Sequence, residues 1–399
     1  MSVDSQGHHT IECFVPARSR TRPRVCLQIA RGAFAISTLI LWTGTVAAQT
    51  TPTSTLKLDT GKQIFESGCV SCHGANGSGQ SRNLAGFEPP ATFPDFSDCP
   101  TSTVEPDIQW RAVITNGGPA RGFSEIMPSF RDLLTQDQIG KVIDYVRGLC
   151  KEDVWPRGNL NLPRPMVTEK AFPENETVVT GAINAQGTPG VASTVIYERR
   201  IGATAMMEAI IPFDFTHDTG SWGSAFGDLA LGYKQKLFHS LRRGSIFSVG
   251  GELIAPTGNP TLGTGGESTI FEAFGAFGQI LPGSGFFQLH TGIELPAHPE
   301  KVPKAFYLRT ALGKTFATDA GLGRRWSPMV EIIADREFET GARTNWDVLP
   351  EIQIPINKRM HLLGNIGIRI PLNNTAGRQR QVLFYALWDW MDGGLLQGW

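Results

Sequence analysis

Cys69-Val70-Ser71-Cys72-His73 is the stretch that decides the fold of the first half of this chain. Two thiols three residues apart can bond the two vinyl groups of one haem, and the adjoining His73 is placed to give an imidazole nitrogen to the iron. A CxxC pair alone would also suit a zinc half-site or a redox dithiol, and a chance match in a structural loop is a further alternative. The contiguous His73 and the lack of a second CxxC favour one covalent haem c, and therefore an electron carrier.

The sequence on either side of this motif predicts two helices. Thr135 followed by Gln138 forms a capping box, which starts the later helix. The apolar face of that helix consists of Ile139, Val142, Ile143, Val146 and Leu149. A shorter helix is predicted over Asp59 to Ser67, and it carries Gly61 and Phe65. The motif therefore lies in an all-α setting.

From about Asp59 to Cys150 the chain resembles the class I cytochromes c. In that family a glycine and an aromatic residue of the first helix pack against the last helix, and Gly61 and Phe65 have the matching spacing. Tyr145 matches an aromatic position near the haem. The resemblance implies the all-α cytochrome c fold, with Cys69 and Cys72 as covalent haem attachments and His73 as one axial ligand.

Met127-Pro128 is the candidate for the second axial ligand. In the cytochrome family the thioether ligand lies in an extended loop and is commonly followed by proline, and the residues just upstream of Met127 are rich in Gly and Pro. The alternative for a lone Met is gap-filling in the core. A thioether opposite His73 raises the reduction potential and leaves no open position on the iron. The expectation is therefore electron transfer rather than oxygen or peroxide chemistry, and no enzyme activity, with a role in metal oxidation or reduction left open.

The first 48 residues are predicted to be a signal peptide that is removed. Five Arg residues between positions 18 and 31 precede an apolar run from Gly32 to Trp42, and Val46-Ala47-Ala48 supplies the small residues expected before cleavage. An uncleaved membrane anchor is the alternative, although the apolar run is short for a span. Export would bring the chain to the periplasm, where haem c is attached.

The cysteine count predicts one disulfide. Of 6 Cys, Cys13 and Cys26 would leave with the signal peptide and two bond the haem. The remainder is Cys99 and Cys150, and an oxidising compartment favours their pairing. Two unpaired buried thiols are the alternative.

The composition changes after Cys150, which divides the chain into parts. The predicted boundaries are 1–48 for the signal peptide, 55–150 for the class I cytochrome c domain, 151–174 for a Pro-rich linker and 175–399 for a β domain. In the β domain the helical period is replaced by alternation. Three stretches show it most clearly: Phe247 to Ala255, Phe287 to Leu295 and Leu362 to Leu372.

About twelve strands are predicted, starting near 176, 191, 203, 226, 244, 269, 286, 304, 324, 348, 361 and 380. Their connections alternate in length. Tight turns are predicted at Arg200–Gly202, Leu241–Arg243, Pro282–Gly285 and Asn357–Arg359, with a slightly longer one around Asp319–Gly323. Longer loops are predicted at Thr216–Ala225, Thr257–Ser268, Ala297–Pro303, Phe338–Asp347 and Asn373–Gln379. Long strands with short turns on one side are typical of an antiparallel outer-membrane β-barrel whose turns lie in the periplasm.

The β domain, and particularly Leu253 to Ile280, resembles a family of outer-membrane transport proteins associated with meta-pathway phenol degradation. A soluble β-sandwich is the alternative. Interfacial aromatic girdles are expected from Trp222, Phe286, Trp326, Trp346, Trp388 and Trp390. The last stretch departs from the pattern, because Gly393, Gly394 and Gly398 break the alternation before the terminal Trp399.

Polar residues lie on the opposite strand faces and would line a lumen if the barrel encloses one. They are Glu208, Asp228, Lys234, Lys236, Glu252, His290, Glu294, Arg309, Lys314, Glu331 and Arg369. Both signs of charge are present, so no ion preference is predicted. His290 has no second His at ligand spacing and is therefore expected to be a solvated lumen residue rather than a metal ligand. The formal net charge of -1 gives no indication of nucleic acid binding.

Two main functions remain compatible with the sequence. The first is an electron-transfer protein of the outer membrane with its haem domain in the periplasm, and this plan is similar to fused cytochrome-porins that exchange electrons with extracellular metal. The second is a transport barrel for a small organic solute, whose cytochrome serves a periplasmic oxidoreductase partner. A third reading is a soluble periplasmic cytochrome with a β domain that binds a partner. About twelve strands make a barrel too narrow to enclose a cytochrome domain.

Overall fold

The computed structural model of the protein describes residues 56–80, 93–185, 190–218, 221–317 and 325–399. The predicted signal peptide lies outside these residues. The helices are α1 (Gly61–Gly68), α2 (Val70–His73), α3 (Cys99–Ser102), α4 (Asp107–Asn116) and α5 (Gln136–Arg147). Short 3-10 turns lie at Gly118–Arg121, Gly158–Leu160, Pro260–Leu262 and Pro282–Ser284. Each helix in the described part of the chain falls short of the length and hydropathy that a bilayer span requires.

Helices α1 and α5 cross in direct contact and form the core of the helical domain. The predicted capping box of α5 is present, since Thr135 accepts from the Gln138 backbone and the Gln138 side chain bonds back. Phe65 is fully buried, and its ring centroid lies 5.3 Å from that of Tyr145. A Cβ atom at Gly61 would lie 2.0 Å from the Lys141 carbonyl oxygen. The backbones can therefore approach this closely only at a glycine.

Gly61→Ala is accordingly expected to destabilise the helical domain. The new methyl group would force α1 and α5 apart, and overpacking of this kind costs about 1–3 kcal/mol of unfolding free energy. Gly140→Ala in the middle of α5 is the control, because its nearest neighbour would be an Arg111 nitrogen at 3.4 Å, which is ordinary contact. Thermal unfolding of the purified chain should show a lower midpoint for the first variant alone. Equal midpoints in both variants would contradict the packing argument.

The strands between Glu176 and Asp389 form one antiparallel sheet. Its strands are β1 (Glu176–Asn184), β2 (Gly190–Ile201), β3 (Ala205–Asp218), β4 (Ser221–Phe226), β5 (Leu229–Ser240), β6 (Ser245–Ala255), β7 (Ile270–Leu281), β8 (Gly285–Pro296), β9 (Ala305–Lys314), β10 (Phe316–Ala317), β11 (Arg325–Glu337), β12 (Asn345–Pro355), β13 (Leu362–Pro371) and β14 (Gln381–Asp389). Apart from the short β4 and β10, each strand pairs with its neighbours, β14 pairs with β1, and β9 pairs with β11. The sheet is thus a closed barrel of twelve strands, and the predicted strand starts are confirmed.

Connections at one end of the barrel are short, as the sequence predicts. The turns after β2, β5, β7 and β12 span only a few residues each, whereas the turn predicted at Asp319–Gly323 lies outside the described residues. One predicted loop is wrong. Residues predicted as the loop Thr216–Ala225 continue β3 to Asp218 and return as β4, pairing Phe213 with Phe226 and His217 with Trp222. The aromatic contact between His217 and Trp222, at 5.3 Å, stabilises this extension where the polar sequence suggested a loop.

Side chains alternate between the two faces of the barrel wall. In β8, Gln288 and His290 are buried whereas Phe287 and Leu289 are more exposed, as the alternation predicts. The same alternation corrects one aromatic prediction. Phe286 does not lie in an interfacial girdle. It is on the same inward face of β8 as Gln288 and is buried against Leu162 and Met329.

Residues 156–174, the second part of the predicted linker, lie inside the barrel and are called the plug here. Their backbone is bonded by inward side chains from strands around the whole wall. Gln288 of β8 donates to the Pro163 carbonyl at 2.7 Å, Ser248 of β6 to Ala171 at 2.5 Å and Tyr385 of β14 to Arg164 at 2.7 Å. The strand carboxylates also accept plug amides: Glu331 from Val167 at 3.0 Å and Thr168 at 2.7 Å, and Glu351 from Met166 at 3.2 Å. An irregular segment can be buried only when its backbone groups are satisfied in this way.

Charges on the plug are paired with charges on the wall. Arg164 lies 2.5 Å from Glu176 of β1 and 2.7 Å from Glu198 of β2. Glu169 pairs with Lys234 of β5, whose side chain is fully buried. Lys170 pairs with Glu174 within the plug. Buried ions persist only when they are compensated, so plug and wall require each other.

Candidate functional site

The CxxCH motif consists of Cys69, which directly follows α1, and the four residues of α2. Cys69 ends α1 and caps α2, and the amide groups of Cys72 and His73 both donate to its carbonyl oxygen, at 3.1 and 2.9 Å. Both thiols are free and half-buried. Burial, together with the neighbouring Cys72, raises the pKa of the Cys69 thiol to about 11.

His73 is the buried end of the motif. It is 9% exposed, and burial lowers its pKa to about 4, so the imidazole is neutral, the form that binds iron. Its buried Nδ1 has no hydrogen-bond partner among the described residues. Two aromatic rings stack on the imidazole, Phe93 with a centroid distance of 5.1 Å and Phe96 with 4.7 Å. Two free thiols and one neutral imidazole in an apolar setting are the donor set that a covalent haem c requires.

Met127 lies in the loop between α4 and α5. The Gly118 amide donates to the Met127 carbonyl at 3.0 Å, and the Ser129 hydroxyl donates to the Thr115 carbonyl at 2.7 Å. The Phe130 amide completes the loop by donating to the Ile114 carbonyl at 3.0 Å. The backbone of Met127 is therefore anchored to the end of α4, and its side chain is half-buried. Its role as the second ligand stays a prediction.

The structure joins Cys99 and Cys150 in a disulfide, with a Cα separation of 5.1 Å. Close to it lies Arg147, a residue that the sequence analysis did not single out. Its guanidinium is buried, stacks 4.0 Å from the Trp110 ring centroid, and pairs with Asp107 at 2.9 Å. Burial lowers the pKa of Arg147, and Asp107 opposes that effect. The position of an Arg in the last turn of α5 is the only sequence signal for it, because a cation there complements the helix dipole.

The polar residues of the strand faces that would line a lumen fall into three groups by burial. Glu208, Lys234, Lys236, His290 and Glu331 are buried, which corrects the expectation that His290 is solvated. The physical reason is the plug, which occupies the space where the lumen water was expected. Asp228, Glu252, Glu294, Arg309 and Arg369 are half-buried, and Lys314 is exposed.

His290 is part of the contact between plug and wall. The Glu169 amide donates to its Nδ1 at 3.3 Å, which leaves Nε2 for the Tyr307 hydroxyl at 3.0 Å. Both ring nitrogens are thus satisfied by protein groups. Within the residues that the structure describes, no three His, Cys, Asp or Glu side chains converge to hold a metal ion.

A polar cavity of about 360 Å³ lies at the long-loop end of the barrel. Its lining includes Asp347, Arg369 and Arg378, and the buried Asp347 accepts from Arg369 at 2.6 Å and from Arg378. Its charges are thus paired with one another.

Comparison with known proteins identifies the helical domain. Residues 57–146 match the family described as cytochrome C oxidase, cbb3-type, subunit III. A comparison with curated proteins found no match. Among solved structures, the KdgM porin is similar at 7% identity over 53% of this chain and 98% of that chain, with a TM-score of 0.37. An outer membrane channel from Pseudomonas putida F1 is similar at 13% identity over 57% and 99%, with a TM-score of 0.38. The residues that match this cytochrome family thus precede a closed barrel of twelve strands.

Proposed function

We propose that the chain is an electron carrier of the outer membrane, in which a periplasmic cytochrome with one covalent haem c is tethered to a plugged β-barrel. The observation that carries the proposal is the motif Cys69 to His73, with its free thiols and its neutral buried imidazole, in a domain that matches a cytochrome family. Cys69 and Cys72 would hold the haem, and His73 and Met127 would be its axial ligands.

The haem supplies a one-electron couple, and the protein residues set its environment. Thioether bonds from Cys69 and Cys72 would fix its position, and the rings of Phe93 and Phe96 stack on the His73 imidazole and would shield it from water. His73 and Met127 would occupy both axial positions, which leaves none for a substrate. These roles support electron transfer rather than catalysis at the iron.

The barrel wall has the polarity that a lipid bilayer requires. Large apolar side chains are exposed on the outward faces of its strands, including Val179, Ile183, Ile211, Leu231, Leu253, Phe271, Ile293, Leu312, Ile332, Ile366, Ile368 and Phe384. The inward faces are polar and buried. A closed barrel that is apolar outside suits lipid, whereas a soluble sandwich would bury this apolar surface between two sheets. This supports the outer membrane over the soluble periplasm.

The topology supports a periplasmic haem domain. β1 begins at Glu176 opposite Asp389, where β14 ends, so both barrel termini lie at one end. The short turn after β12 lies at that end and contacts the haem domain. Short turns of such barrels face the periplasm. A haem at this end is separated from the outside by the plugged barrel, so its direct partner would be a periplasmic redox protein, and electrons would reach an extracellular metal only through a further redox group.

Solute transport is the second candidate function, and one observation favours it. The plug is an irregular segment held by side-chain hydrogen bonds and ion pairs rather than by strand pairing, so its displacement would break no strand pairing of the wall. A small organic solute would have to pass after such a displacement.

Cysteine labelling of intact cells tests the location and orientation. We expect Thr261→Cys and Thr375→Cys, in two long loops, to react with a membrane-impermeant maleimide. Arg242→Cys, in the short turn after β5, and Ser124→Cys, in the haem domain, should react only after the outer membrane is broken. Labelling of Ser124→Cys in intact cells would overturn the orientation, and recovery of the protein in the soluble fraction would overturn the membrane location.

A further inference from the structure

One loop of the haem domain is held by the barrel. This loop, residues 117–127, is called the ligand loop because it ends at Met127. Arg121 at its centre is 1% exposed. Its Nε donates to the carbonyl of Lys358 at 3.0 Å, and its Nη2 donates to the carbonyl of Arg359. Both carbonyls belong to the short turn between β12 and β13, so a haem-domain cation caps a barrel turn.

The barrel turn holds the ligand loop in return. Arg359 Nη2 donates to the Gly122 carbonyl at 2.6 Å, and its guanidinium carbon lies 4.6 Å from the Phe123 ring centroid. Each domain thus contributes one arginine that donates to a backbone carbonyl of the other domain. Glu105 and Asp392 are the acidic residues near Arg121, and Arg359 is a second cation beside it. The contact is thus buried and is held mainly by hydrogen bonds from the two guanidinium groups to backbone carbonyls.

The C-terminal tail, residues 390–399, closes the contact from the other side. The Arg359 amide donates to the Gly398 carbonyl at 3.2 Å, and Arg359 Nη1 donates to Gln397 Oε1 at 3.0 Å. A Cβ atom at Gly122 would lie 2.6 Å from the Gly398 Cα, and one at Gly398 would lie 2.5 Å from the Arg359 Cβ. This explains why glycines interrupt the strand pattern after Trp390: the tail is packed against the ligand loop.

The held residues are connected directly to Met127. The Phe123 amide donates to the Gly118 carbonyl at 2.9 Å, and the Gly118 amide donates to the Met127 carbonyl at 3.0 Å. The loop is therefore a short closed unit, and a displacement of Arg121 to Phe123 would be transmitted to the Met127 backbone. A second tie lies beside it, where Gln109 of α4 donates to the Met360 sulfur at 3.3 Å.

We propose that the turn between β12 and β13 and the C-terminal tail form a clamp that positions Met127 on the haem iron, so that docking on the barrel sets the redox potential of the cytochrome. The inference rests on the proposed ligation by Met127. Arg121 and Arg359 are positioning residues, since they act through the ligand loop. When the clamp is released, the thioether is held less firmly, and the potential falls because the donor that raises it is partly lost.

The test compares Arg359→Ala with Arg242→Ala in the full-length protein in detergent. Arg242 lies exposed in another short turn and is the matched control. Arg359→Ala should weaken the thioether-to-ferric charge-transfer band, lower the midpoint potential and tighten imidazole binding to the ferric haem by about tenfold, the scale expected for losing charge-assisted hydrogen bonds. Amide hydrogen exchange at Gly122 and Phe123 should also accelerate. Arg242→Ala should change none of these.

Two further variants keep the outcome decisive. Gly122→Ala pushes the ligand loop away from the C-terminal tail without removing a charge. It should weaken the charge-transfer band in the same way, even where Arg359→Ala folds poorly. In a Met127→Ala background, Arg359→Ala should have no additional effect on imidazole affinity. Unchanged band, potential and imidazole affinity in both clamp variants would overturn the clamp while leaving the ligand set intact. An unchanged band in Met127→Ala would overturn the ligand set itself.

Discussion

Replacing Met127 with alanine is expected to lower the midpoint potential of the purified protein while the haem stays attached. The thioether is the axial donor that raises the potential, and its loss opens one coordination position. Axial ligands move haem potentials over roughly 0.8 V, so a fall on the order of 0.1 V or more is expected. The wild-type protein should show low-spin, six-coordinate iron, and the variant should bind added imidazole.

The covalent attachment and the ligand role can be separated by controls. Met207→Ala removes an exposed thioether from the outer face of β3 and should leave spectrum and potential unchanged. Cys69→Ala with Cys72→Ala should abolish the haem that survives denaturation. If Met127→Ala retains the wild-type spectrum and potential, Met127 is not the ligand.

Local patterns were sufficient to predict most of the fold. The capping box at Thr135 and Gln138 and the spacing of Gly61 and Phe65 depend on neighbours within one helix or one helix crossing. The alternation of burial along β8 likewise depends only on which face of the strand each residue occupies. The prediction for Phe286 was wrong because it used the nearness of this residue to a strand end. It ignored the alternation, which places Phe286 on the inward face with Gln288.

The plug and the clamp could not be predicted, because their partners are far apart in the chain. Thr168 meets Glu331 across 163 residues, and Arg121 meets Arg359 across 238. The Pro-rich composition of residues 151–174 is typical of a linker, and nothing local distinguishes a solvated charge from a paired one. A signal did exist: Leu160, Leu162 and Phe172 are apolar side chains that an exposed linker would rarely carry.

Replacing residues 158–173 with a flexible Gly-Ser segment of equal length is expected to convert a closed barrel into a conducting one. The plug contacts inward side chains of strands around the wall, and twelve strands lie between the filled eight-strand barrels and the water-filled porins. Planar-bilayer recordings should show negligible current for the wild-type protein and stable channels for the variant. Strong conductance of the wild-type protein would show that the plug does not close the barrel. A variant without conductance would contradict a transport function of the barrel.

A single substitution can test the same closure while the plug remains in the chain. Arg164→Ala removes the cation paired with Glu198 and leaves Glu176 only Lys170 at 3.9 Å, and breaking such a buried pair costs about 3–5 kcal/mol. The variant should therefore open transiently and be cut by protease within the plug, whereas Arg199→Ala, exposed on the outer face beside Glu198, should do neither. If the variant conducts ions while the haem potential stays unchanged, the barrel opens independently of the haem domain. Openings that also shift the potential would mean that plug and clamp move together, because the plug connects directly to the haem domain.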